Sequence, residues 1–340
     1  MKKLVTFGEI MLRLQPPPHL RISQARSYDA VYGGGEANVA VSVANYGAPA
    51  CFVTKLPSNP VADACIAELR GLGVDTEEIK RGGDRMGIYF VESGASQRAS
   101  NVIYDRAHSS ISEASPDDFD WDEIFRGAGW FHFTGITPAL SPDCTKLCLS
   151  ACRAAKAAGL TVSCDLNYRK KLWSPQQAGE VMSELMKYVD VCIANEEDAD
   201  KVFGIRADGA DVTAGAVSGE SYRTVCRKLT ERFGFSAVAV TLRESVSASI
   251  NNWSAILYTG GEFYNSKKYT ITVIDRVGGG DSFAGGLIFG AMSGMEPQRQ
   301  LEFAVAASTL KHTIEGDYNR VSRSEVEALA AGDGSGRVSR

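Results

Sequence analysis

Residues 273–286 read "VIDRVGGGDSFAGG" and are the most informative part of the sequence. An alternating strand pattern, "YTITVI", leads into Gly278, Gly279 and Gly280, and Asp281 then opens a helical pattern, "SFAGGLIFGAMSG". A loop between a strand and a helix is where open α/β sheets bind their ligands. Glycine N–H groups can approach an anion closely because no Cβ intervenes, and the helix N-terminus adds positive potential. The stretch therefore predicts an anion site at the edge of an α/β sheet.

This loop matches neither of two common nucleotide-binding motifs. No lysine follows the glycines as a P-loop requires, and Phe283 stands where the dinucleotide fingerprint needs its third glycine. An ordinary tight turn is the alternative interpretation, and Asp281 argues against it. We expect a carboxylate at a helix N-terminus to keep a low pKa and to accept a proton from an attacking hydroxyl. A base beside an anion site predicts phosphoryl transfer, with backbone amides and Mg²⁺ carrying the charge.

The rest of the chain extends the same architecture. Apolar runs rich in β-branched residues alternate with amphipathic segments, which predicts a doubly wound, mostly parallel sheet sandwiched by helices. The predicted strands lie at 3–8, 130–135, 160–167, 189–195 and 236–242. The predicted helices lie near 36–46, 60–71, 141–158, 175–188, 196–203, 221–233, 281–293, 297–312 and 323–331.

Two segments, residues 10–32 and 86–106, alternate in hydrophobicity with no helix between their strands. They predict a small antiparallel β-sheet, which we call the lid. We find no internal repeat and no second block of domain size. The sequence therefore predicts one α/β domain over residues 1–330, with the lid attached and a flexible tail at 331–340.

The composition excludes several classes of partner. The 340 residues include 44% hydrophobic and 23% charged residues, with a formal net charge of −5. No basic run is present to neutralise nucleic-acid phosphates, and no apolar stretch is long enough to span a bilayer. The start, "MKKLVTFGEI", lacks the apolar core of a signal peptide. We expect a cytoplasmic protein that binds neither nucleic acid nor membrane.

Eight cysteines raise the question of a metal or of disulfides. There is no C-x-x-C, and the four histidines do not fall near cysteines at the spacing of metal ligands. Cys144, Cys148 and Cys152 recur at every fourth residue, on one face of a predicted helix. Three thiols on one face could bind a metal, but cysteine is also among the most buried small residues. We favour reduced, metal-free thiols in the core.

Three motifs identify a family. "DRVGGGD" fits D-x-x-G-x-G-D, and with "SFAGG" it resembles the C-terminal signature of the ribokinase-like (PfkB) carbohydrate kinases. "GGGEANVA" (33–40) resembles their N-terminal sugar-binding signature, with one residue fewer. "NEEDA" (195–199) resembles their N-x-x-E motif, with Asp198 in place of glutamate. The resemblance covers essentially the whole chain and implies a doubly wound sandwich with a β-sheet lid, and ATP and Mg²⁺ as cofactors.

The resemblance also implies a role for each matching residue. Asp281 would be the catalytic base, and Gly278, Gly279 and Gly280 would form the anion hole. Gly34 and Asn38 would lie against sugar hydroxyls. The nucleotide would contact Asn195, Thr241, Arg243, Gly278 and Gly280, and Asp198 would hold Mg²⁺ through water. Arg243 stands where related chains carry the first glycine of T-x-G-x-x-G, so it either binds a phosphate or points to solvent.

Within the family, the chain most resembles the kinases of 2-keto-3-deoxygluconate, in stretches such as "GIYFVE", "VIYDRAHSS", "DLNYRKKLW" and "LKHTIEGDYN". A sugar acid has a carboxylate, which arginine binds best through its bidentate fork. Arg106 ends a predicted lid strand, and Arg169 follows a parallel strand at its carboxyl end; a solvated surface position is the alternative for each. The resemblance implies Tyr89, Tyr104, Arg106 and Arg169 as substrate contacts.

The leading hypothesis is an ATP-dependent kinase that phosphorylates the 6-hydroxyl of 2-keto-3-deoxy-D-gluconate. One alternative is a kinase of a neutral ketose such as fructose, or of another sugar in the family, which would leave the two arginines without an anion. Another is a non-catalytic sugar or nucleotide sensor, which the intact base and glycines disfavour. The sequence does not distinguish the gluconate from the galactonate epimer. The family also allows a homo-oligomer formed through the lid.

Overall fold

The computed structural model describes residues 1–206 and 219–334. The strands are β1 (Lys3–Phe7), β2 (Met11–Gln15), β3 (Asp29–Gly33), β4 (Ala50–Leu56), β5 (Ile79–Arg81), β6 (Gly87–Glu92), β7 (Asn101–Asp105), β8 (Ala128–Thr134), β9 (Thr161–Asp165), β10 (Val191–Ala194), β11 (Ala237–Ser245), β12 (Ile250–Thr259), β13 (Glu262–Asn265) and β14 (Tyr269–Thr272). The helices are α1 (Gly35–Asn45), α2 (Pro60–Gly71), α3 (Trp121–Ile124), α4 (Pro142–Ala157), α5 (Pro175–Leu185), α6 (Glu196–Phe203), α7 (Gly219–Phe233), α8 (Gly279–Met292), α9 (Pro297–Lys311) and α10 (Arg323–Ala331).

The predicted tail starts at the last residue of α10, Ala331, and its residues 335–340 lie outside the described part of the chain. None of the helices within that part is long and apolar enough to cross a bilayer.

The main sheet has the strand order β13-β12-β11-β10-β9-β8-β1-β4-β5, with β14 also paired to β12. All pairs from β11 to β5 are parallel, whereas β12 runs antiparallel to its three neighbours. One core packs α1, α8 and α9 on one face of the sheet through residues such as Val39 and Leu287. The other packs α4 and α5 on the opposite face through Leu147 and Met182. The predicted doubly wound sandwich is confirmed; strands β4, β5, β12 and β13 were not predicted.

The lid is a separate sheet of four strands, in the order β3-β2-β6-β7. Its existence is confirmed, but the prediction that all its pairs are antiparallel is wrong, because β2 and β6 run parallel. Between β2 and β6 the chain forms β3 of the lid and then α1, β4, α2 and β5 of the main domain before it returns to the lid. A crossover of that length lets the chain re-enter the lid in the same direction, which a short hairpin cannot do.

The eight cysteines are all buried and none forms a disulfide. Cys148 and Cys152 of α4 belong to the same apolar core as Cys164 of β9. Burial raises the pKa of Cys144 to about 11 and that of Cys148 well above its usual range. Since a thiol in this setting stays protonated, these side chains behave as small hydrophobic groups. The predicted core position of the cysteines is confirmed.

Candidate active site

The carboxyl ends of the parallel strands open into a cavity of about 480 Å³, a size that suits a small-molecule ligand. The lid closes one end, β11 and β12 form the other, and the loop before α8 lies between them. Every residue that the sequence places in the site lines this cavity, apart from Gly279. These lining residues are Gly34, Asn38, Tyr89, Tyr104, Arg106, Arg169, Asn195, Asp198, Thr241, Arg243, Gly278, Gly280 and Asp281.

Helix α8 begins at Gly279, two residues earlier than its predicted start, and this places Asp281 in its first turn. Gly278 is the N-cap, with φ +80°, a left-handed conformation that favours glycine. The first hydrogen bond of the helix runs from the N–H of Ser282 to the carbonyl of Gly278. The N–H groups of Gly280 and Asp281 precede that bond, so the helix itself cannot satisfy them. They are free to meet an anion in the cavity.

The three glycines differ in what surrounds them. A Cβ on Gly278 would lie 2.0 Å from the carbonyl oxygen of Asp317, and one on Gly279 would lie 2.5 Å from the His312 ring. A Cβ on Gly280 would meet nothing within 4 Å. Gly279 also donates its N–H to the carbonyl of Arg276, at 3.3 Å. The prediction for Gly279 therefore needs correction: it packs beneath the loop against His312, and Gly280 is the glycine that faces the cavity.

This difference predicts unequal effects of substitution. Gly280→Val should fold with near-normal stability but lose nucleotide turnover, because its side chain would occupy the space beside the free N–H groups. Gly279→Val should instead lower the melting temperature, because the valine side chain would overlap with the buried His312 ring. Kinetics and thermal melts of both variants check this. Normal turnover by a folded Gly280→Val protein would contradict an anion site at this glycine.

The carboxylate of Asp281 is oriented by α1. Asn38 donates from Nδ2 to Asp281 Oδ2 at 2.6 Å, and its own Oδ1 accepts the Gly34 N–H at 3.3 Å. The buried Asn38 amide therefore orients the aspartate, and its second N–H and second lone pair stay available for the sugar hydroxyl that the sequence predicts there.

The pKa of Asp281 differs from the predicted low value. Burial raises it to about 6, and the nearby charges of Asp317 and Glu36 add to the rise, against the hydrogen bond from Asn38. The increase in pKa caused by desolvation is thus larger than the decrease expected from the helix N-terminus. At pH 7 the group is still mostly ionised, and a pKa near the working pH is what a general base requires.

At the lid end, two tyrosines and an arginine form a stack. The rings of Tyr89 and Tyr104 lie 5.8 Å apart with 24° between their planes, and the Arg106 guanidinium lies 5.2 Å from the centre of the Tyr104 ring. Tyr89 donates its hydroxyl to Asp317 Oδ2 at 2.6 Å. Strands β6 and β7 set this arrangement, because Tyr89 and Tyr104 stand directly opposite each other in their ladder.

Arg106 has a carboxylate partner that the sequence did not predict. Its Nε donates to Glu9 Oε2 at 2.7 Å, and its Nη2 contacts the same oxygen. Glu9 is only 3% exposed, and its other oxygen accepts the Ser109 hydroxyl at 2.7 Å. Within the described residues, Nη1 of Arg106 has no hydrogen-bond partner. The pair with Glu9 therefore holds the guanidinium in place and leaves one nitrogen for a ligand.

Arg169 stands near the middle of the cavity and is exposed to it. It follows Asn167, which takes a left-handed φ of +39° and donates its N–H to Asp165 Oδ1 at 3.1 Å. That turn ends β9 and brings the arginine back over the strand ends. Its side chain donates only to the carbonyl of Tyr168, at 3.4 Å, and has no ion pair among the described residues. Its charge lowers the pKa of Asp281, so it lies close to the reaction centre.

Asp165 and Asp198 face the cavity from β9 and α6. Burial, together with the charges of Asp198 and Asp281, raises the pKa of Asp165 well above its usual range. Burial raises that of Asp198 to about 6, although Asp198 accepts N–H groups from Tyr168 (3.0 Å) and Asn195 (3.3 Å). Asn195 in turn caps α6 with its own side-chain oxygen. Buried carboxylates that lack a basic partner are suited to a nearby cation.

These oxygens fit Mg²⁺, a hard cation that prefers carboxylate and water ligands. Within residues 1–206 and 219–334, no three His, Cys, Asp or Glu side chains are grouped to hold a metal directly. The ion would therefore be bound by the phosphates of a nucleotide and, through water, by Asp198.

Comparison with known proteins identifies the family. The profile of the pfkB family of carbohydrate kinases matches residues 1–322. The chain belongs to this family. A solved structure of 2-dehydro-3-deoxygluconokinase from Thermotoga maritima is 53% identical to this pfkB kinase, with a TM-score of 0.94, and the match covers 98% of this chain and 100% of that one. The 2-dehydro-3-deoxygalactonokinase of Haloferax volcanii is 35% identical over 334 residues, 98% of each chain.

A putative ribokinase II from Escherichia coli, solved with ATP and Mg²⁺, shares the fold of this pfkB kinase. It is 20% identical, with a TM-score of 0.80 and coverage of 97% and 99% of the two chains. The predicted ribokinase-like fold, the family and the phosphotransferase class are therefore confirmed.

Several cavity residues were missed by the sequence reasoning. They are Glu9, Asp165, Arg276, His312 and Asp317. Asp165 could have been recognised, because it ends a predicted parallel strand in "SCDLN" and ligands bind at such strand ends. Asp317 could also have been recognised, because "EGDYN" lies within a stretch already matched to the family. Nothing in the sequence marks Glu9 as a site residue, because a single acid after a strand is common on protein surfaces.

Proposed function

We propose that this pfkB kinase transfers the γ-phosphoryl group of ATP to the 6-hydroxyl of 2-keto-3-deoxy-D-gluconate, giving 2-keto-3-deoxy-6-phosphogluconate and ADP. One observation carries the proposal. A carboxylate with a pKa of about 6, two free N–H groups at a helix N-terminus and an arginine that has no ion-pair partner among residues 1–206 and 219–334 all line one cavity. These are a base, an anion site and a carboxylate site. The names of the two similar proteins support the substrate class.

In the proposed reaction the 6-hydroxyl oxygen attacks the γ-phosphorus as the bond to the ADP oxygen breaks. Asp281 accepts the hydroxyl proton, and the hydrogen bond from Asn38 keeps the Asp281 carboxylate oriented toward that hydroxyl. The N–H groups of Gly280 and Asp281 donate to the transferring phosphoryl oxygens, where negative charge must be stabilised. Mg²⁺, when bound, neutralises charge on the phosphates. The remaining proposed nucleotide contacts are Asn195, Thr241, Arg243 and Gly278, all of which line the cavity.

The sugar acid would lie between the lid and α1. Arg169 and the free Nη1 of Arg106 bind its carboxylate, and the stacked Tyr89 and Tyr104 contact its carbon chain. Gly34 lines the cavity beside them, and it must be glycine because a Cβ there would lie 2.0 Å from the Glu9 carbonyl oxygen.

A panel of substrates tests the proposal. ADP release should be measured with 2-keto-3-deoxygluconate, 2-keto-3-deoxygalactonate, gluconate and fructose. We expect kcat/KM for a keto-deoxy acid to exceed that for fructose by at least tenfold, because a neutral sugar offers no carboxylate to Arg169 or to the free Nη1 of Arg106. A preference for fructose would overturn the sugar-acid assignment. The two keto-deoxy epimers are included because the two similar proteins are named for different epimers.

We also propose a cytoplasmic location, which the eight free buried thiols support, since disulfides are rare in reducing compartments. A homo-oligomer through the lid is a further proposal. It is supported by β7, an edge strand of the lid, on which Ile103 is 45% exposed. Light scattering in solution would test it, and a monomer at working concentrations would contradict it.

A further inference from the structure

We propose that Arg276 and Arg243 together bind the phosphate groups of the nucleotide, a role that a lysine has in P-loop proteins. The inference rests on the proposed kinase function and extends it to a residue, Arg276, that no motif pointed to. Arg276 is the second residue of "DRVGGGD" and precedes Gly278 by two positions. Both arginines line the cavity at its β11–β12 end.

Arg276 is held in place by the protein. Its side chain is half-buried, and its Nη2 donates to the carbonyl of Ala248, in the turn between β11 and β12, at 2.9 Å. Arg243 extends from β11 beside that turn. Both arginines line the same cavity, and the pKa of Arg276 is lowered by burial first and then by the charge of Arg243, whereas the charge of Asp275 raises it. Two cations near each other, one of them anchored, form a site for a ligand with several negative charges.

No carboxylate neutralises this pair. Within the described residues neither arginine forms an ion pair, in contrast to Arg106, which is bound to Glu9. Asp275, the acid whose charge acts on Arg276, is already engaged: Arg13 contacts its Oδ2 at 2.5 Å, and Val277 and Gly316 donate their N–H groups to its carboxylate at 3.0 and 3.1 Å. An anion is therefore the missing partner at this end of the cavity.

Two buried polar side chains at the same end also lack partners. Asn251 and Trp253 of β12 are 1% and 6% exposed and line the cavity, and in the part of the chain that the structure describes neither Oδ1 of Asn251 nor Nε1 of Trp253 has a hydrogen-bond partner. In the β11–β12 ladder, Trp253 stands directly opposite Arg243. Buried polar groups are normally satisfied, so these atoms indicate a site that a polar ligand completes.

The strand order places this site correctly for phosphoryl transfer. Strands β11 and β1 are four positions apart in the sheet, or about 19 Å at the usual strand spacing. The lid and α1 stand over the β1 end, and Gly280 and Asp281 lie between the two ends. Phosphates held by the arginines would thus point along the glycines toward the acceptor hydroxyl.

Nucleotide binding tests the proposal without requiring turnover. Affinities for adenosine, ADP and a non-hydrolysable ATP analogue should be measured by calorimetry, with and without the sugar acid. The variants are Arg276→Gln, Arg243→Gln and the double variant, with Arg153→Gln as control, since Arg153 lies outside this cavity beside Tyr188. We expect each single variant to lose roughly 10- to 100-fold in affinity for the ATP analogue, less for ADP, and under threefold for adenosine.

The outcomes separate the alternatives. Equal losses for adenosine and for the ATP analogue, or no loss for either, would overturn the proposal. Should Arg276→Gln fail to fold, Arg276→Lys keeps the charge but loses the fork, and a partial loss confined to phosphorylated ligands would support it. The variants could lose affinity only for phosphorylated nucleotides while the wild-type protein fails to phosphorylate keto-deoxy acids. That result would support the arginine site and contradict the proposed substrate.

Discussion

Replacing Asp281 with asparagine should lower kcat by roughly 10²–10⁴-fold, the usual contribution of a general base, while nucleotide and sugar affinities change little. The amide cannot accept the proton of the 6-hydroxyl, but its oxygen can still accept the hydrogen bond that Asn38 now donates to Asp281. The geometry of the site is thereby kept and only the proton acceptor is removed. Steady-state kinetics and calorimetric binding of both ligands measure the two effects separately.

The pH profile provides a second readout of the same residue. Because a base must be deprotonated, wild-type kcat/KM should fall as the pH falls through about 6, the pKa that burial gives Asp281. Asp143→Asn, on the exposed first turn of α4, is a matched control and should change neither rate nor profile. A variant Asp281→Asn that keeps more than about a tenth of wild-type turnover would remove Asp281 from the catalytic role.

The next largest effect is expected at Arg169. Arg169→Ala should reduce kcat/KM for 2-keto-3-deoxygluconate by roughly 10- to 150-fold, because the bound carboxylate loses a charge-assisted hydrogen bond. The weaker activity on fructose should change much less, since fructose has no carboxylate. Arg169→Lys should recover only part of the loss, because one ammonium group cannot reproduce the bidentate fork.

Arg106→Ala should show the same selective loss together with a lower melting temperature. Removal of this arginine leaves the buried carboxylate of Glu9 without its cation, whereas Arg169 has no such partner. Arg106→Ala combined with Glu9→Gln should recover the stability but not the acid preference. Equal losses on the acid and on fructose, for either arginine, would assign the arginines to the fold or to the nucleotide site instead.

The sequence was most informative where function requires a backbone conformation. A glycine loop followed by Asp281 at a helix start has few physical explanations, and the alternation of strands and helices follows directly from burial on two faces of a sheet. The lid was also predictable, because its strands alternate without a helix between them. Its parallel pair was not, since the direction of a returning strand depends on the length and path of the segment that precedes it.

Other features depend on contacts between residues far apart in the chain. The pairing of Arg106 with Glu9 spans 97 positions, and that of Arg13 with Asp317 spans 304. The raised pKa of Asp281 arises from burial, which overrides the local effect of its helix. Gly279 and Gly280 are neighbours with opposite surroundings, and only the packing of His312 distinguishes them. Local pattern identifies such residues as candidates, and tertiary packing decides what each one does.

Arg13 also limits how the enzyme can move. This lid residue, 0% exposed, pairs with Asp275 at 2.5 Å and with Asp317 at 2.6 Å, which ties β2 to the loop before α8 and to the segment after α9. Leaving a buried charge without its partner costs about 3–5 kcal/mol, so we expect these contacts to persist through the catalytic cycle. Tyr89 of β6 donates to the same Asp317, and Arg106 is held by Glu9, so these contacts fix the neighbouring strand as well. The part of the lid that remains for a movement admitting the sugar acid is the free edge at β7, which carries Tyr104.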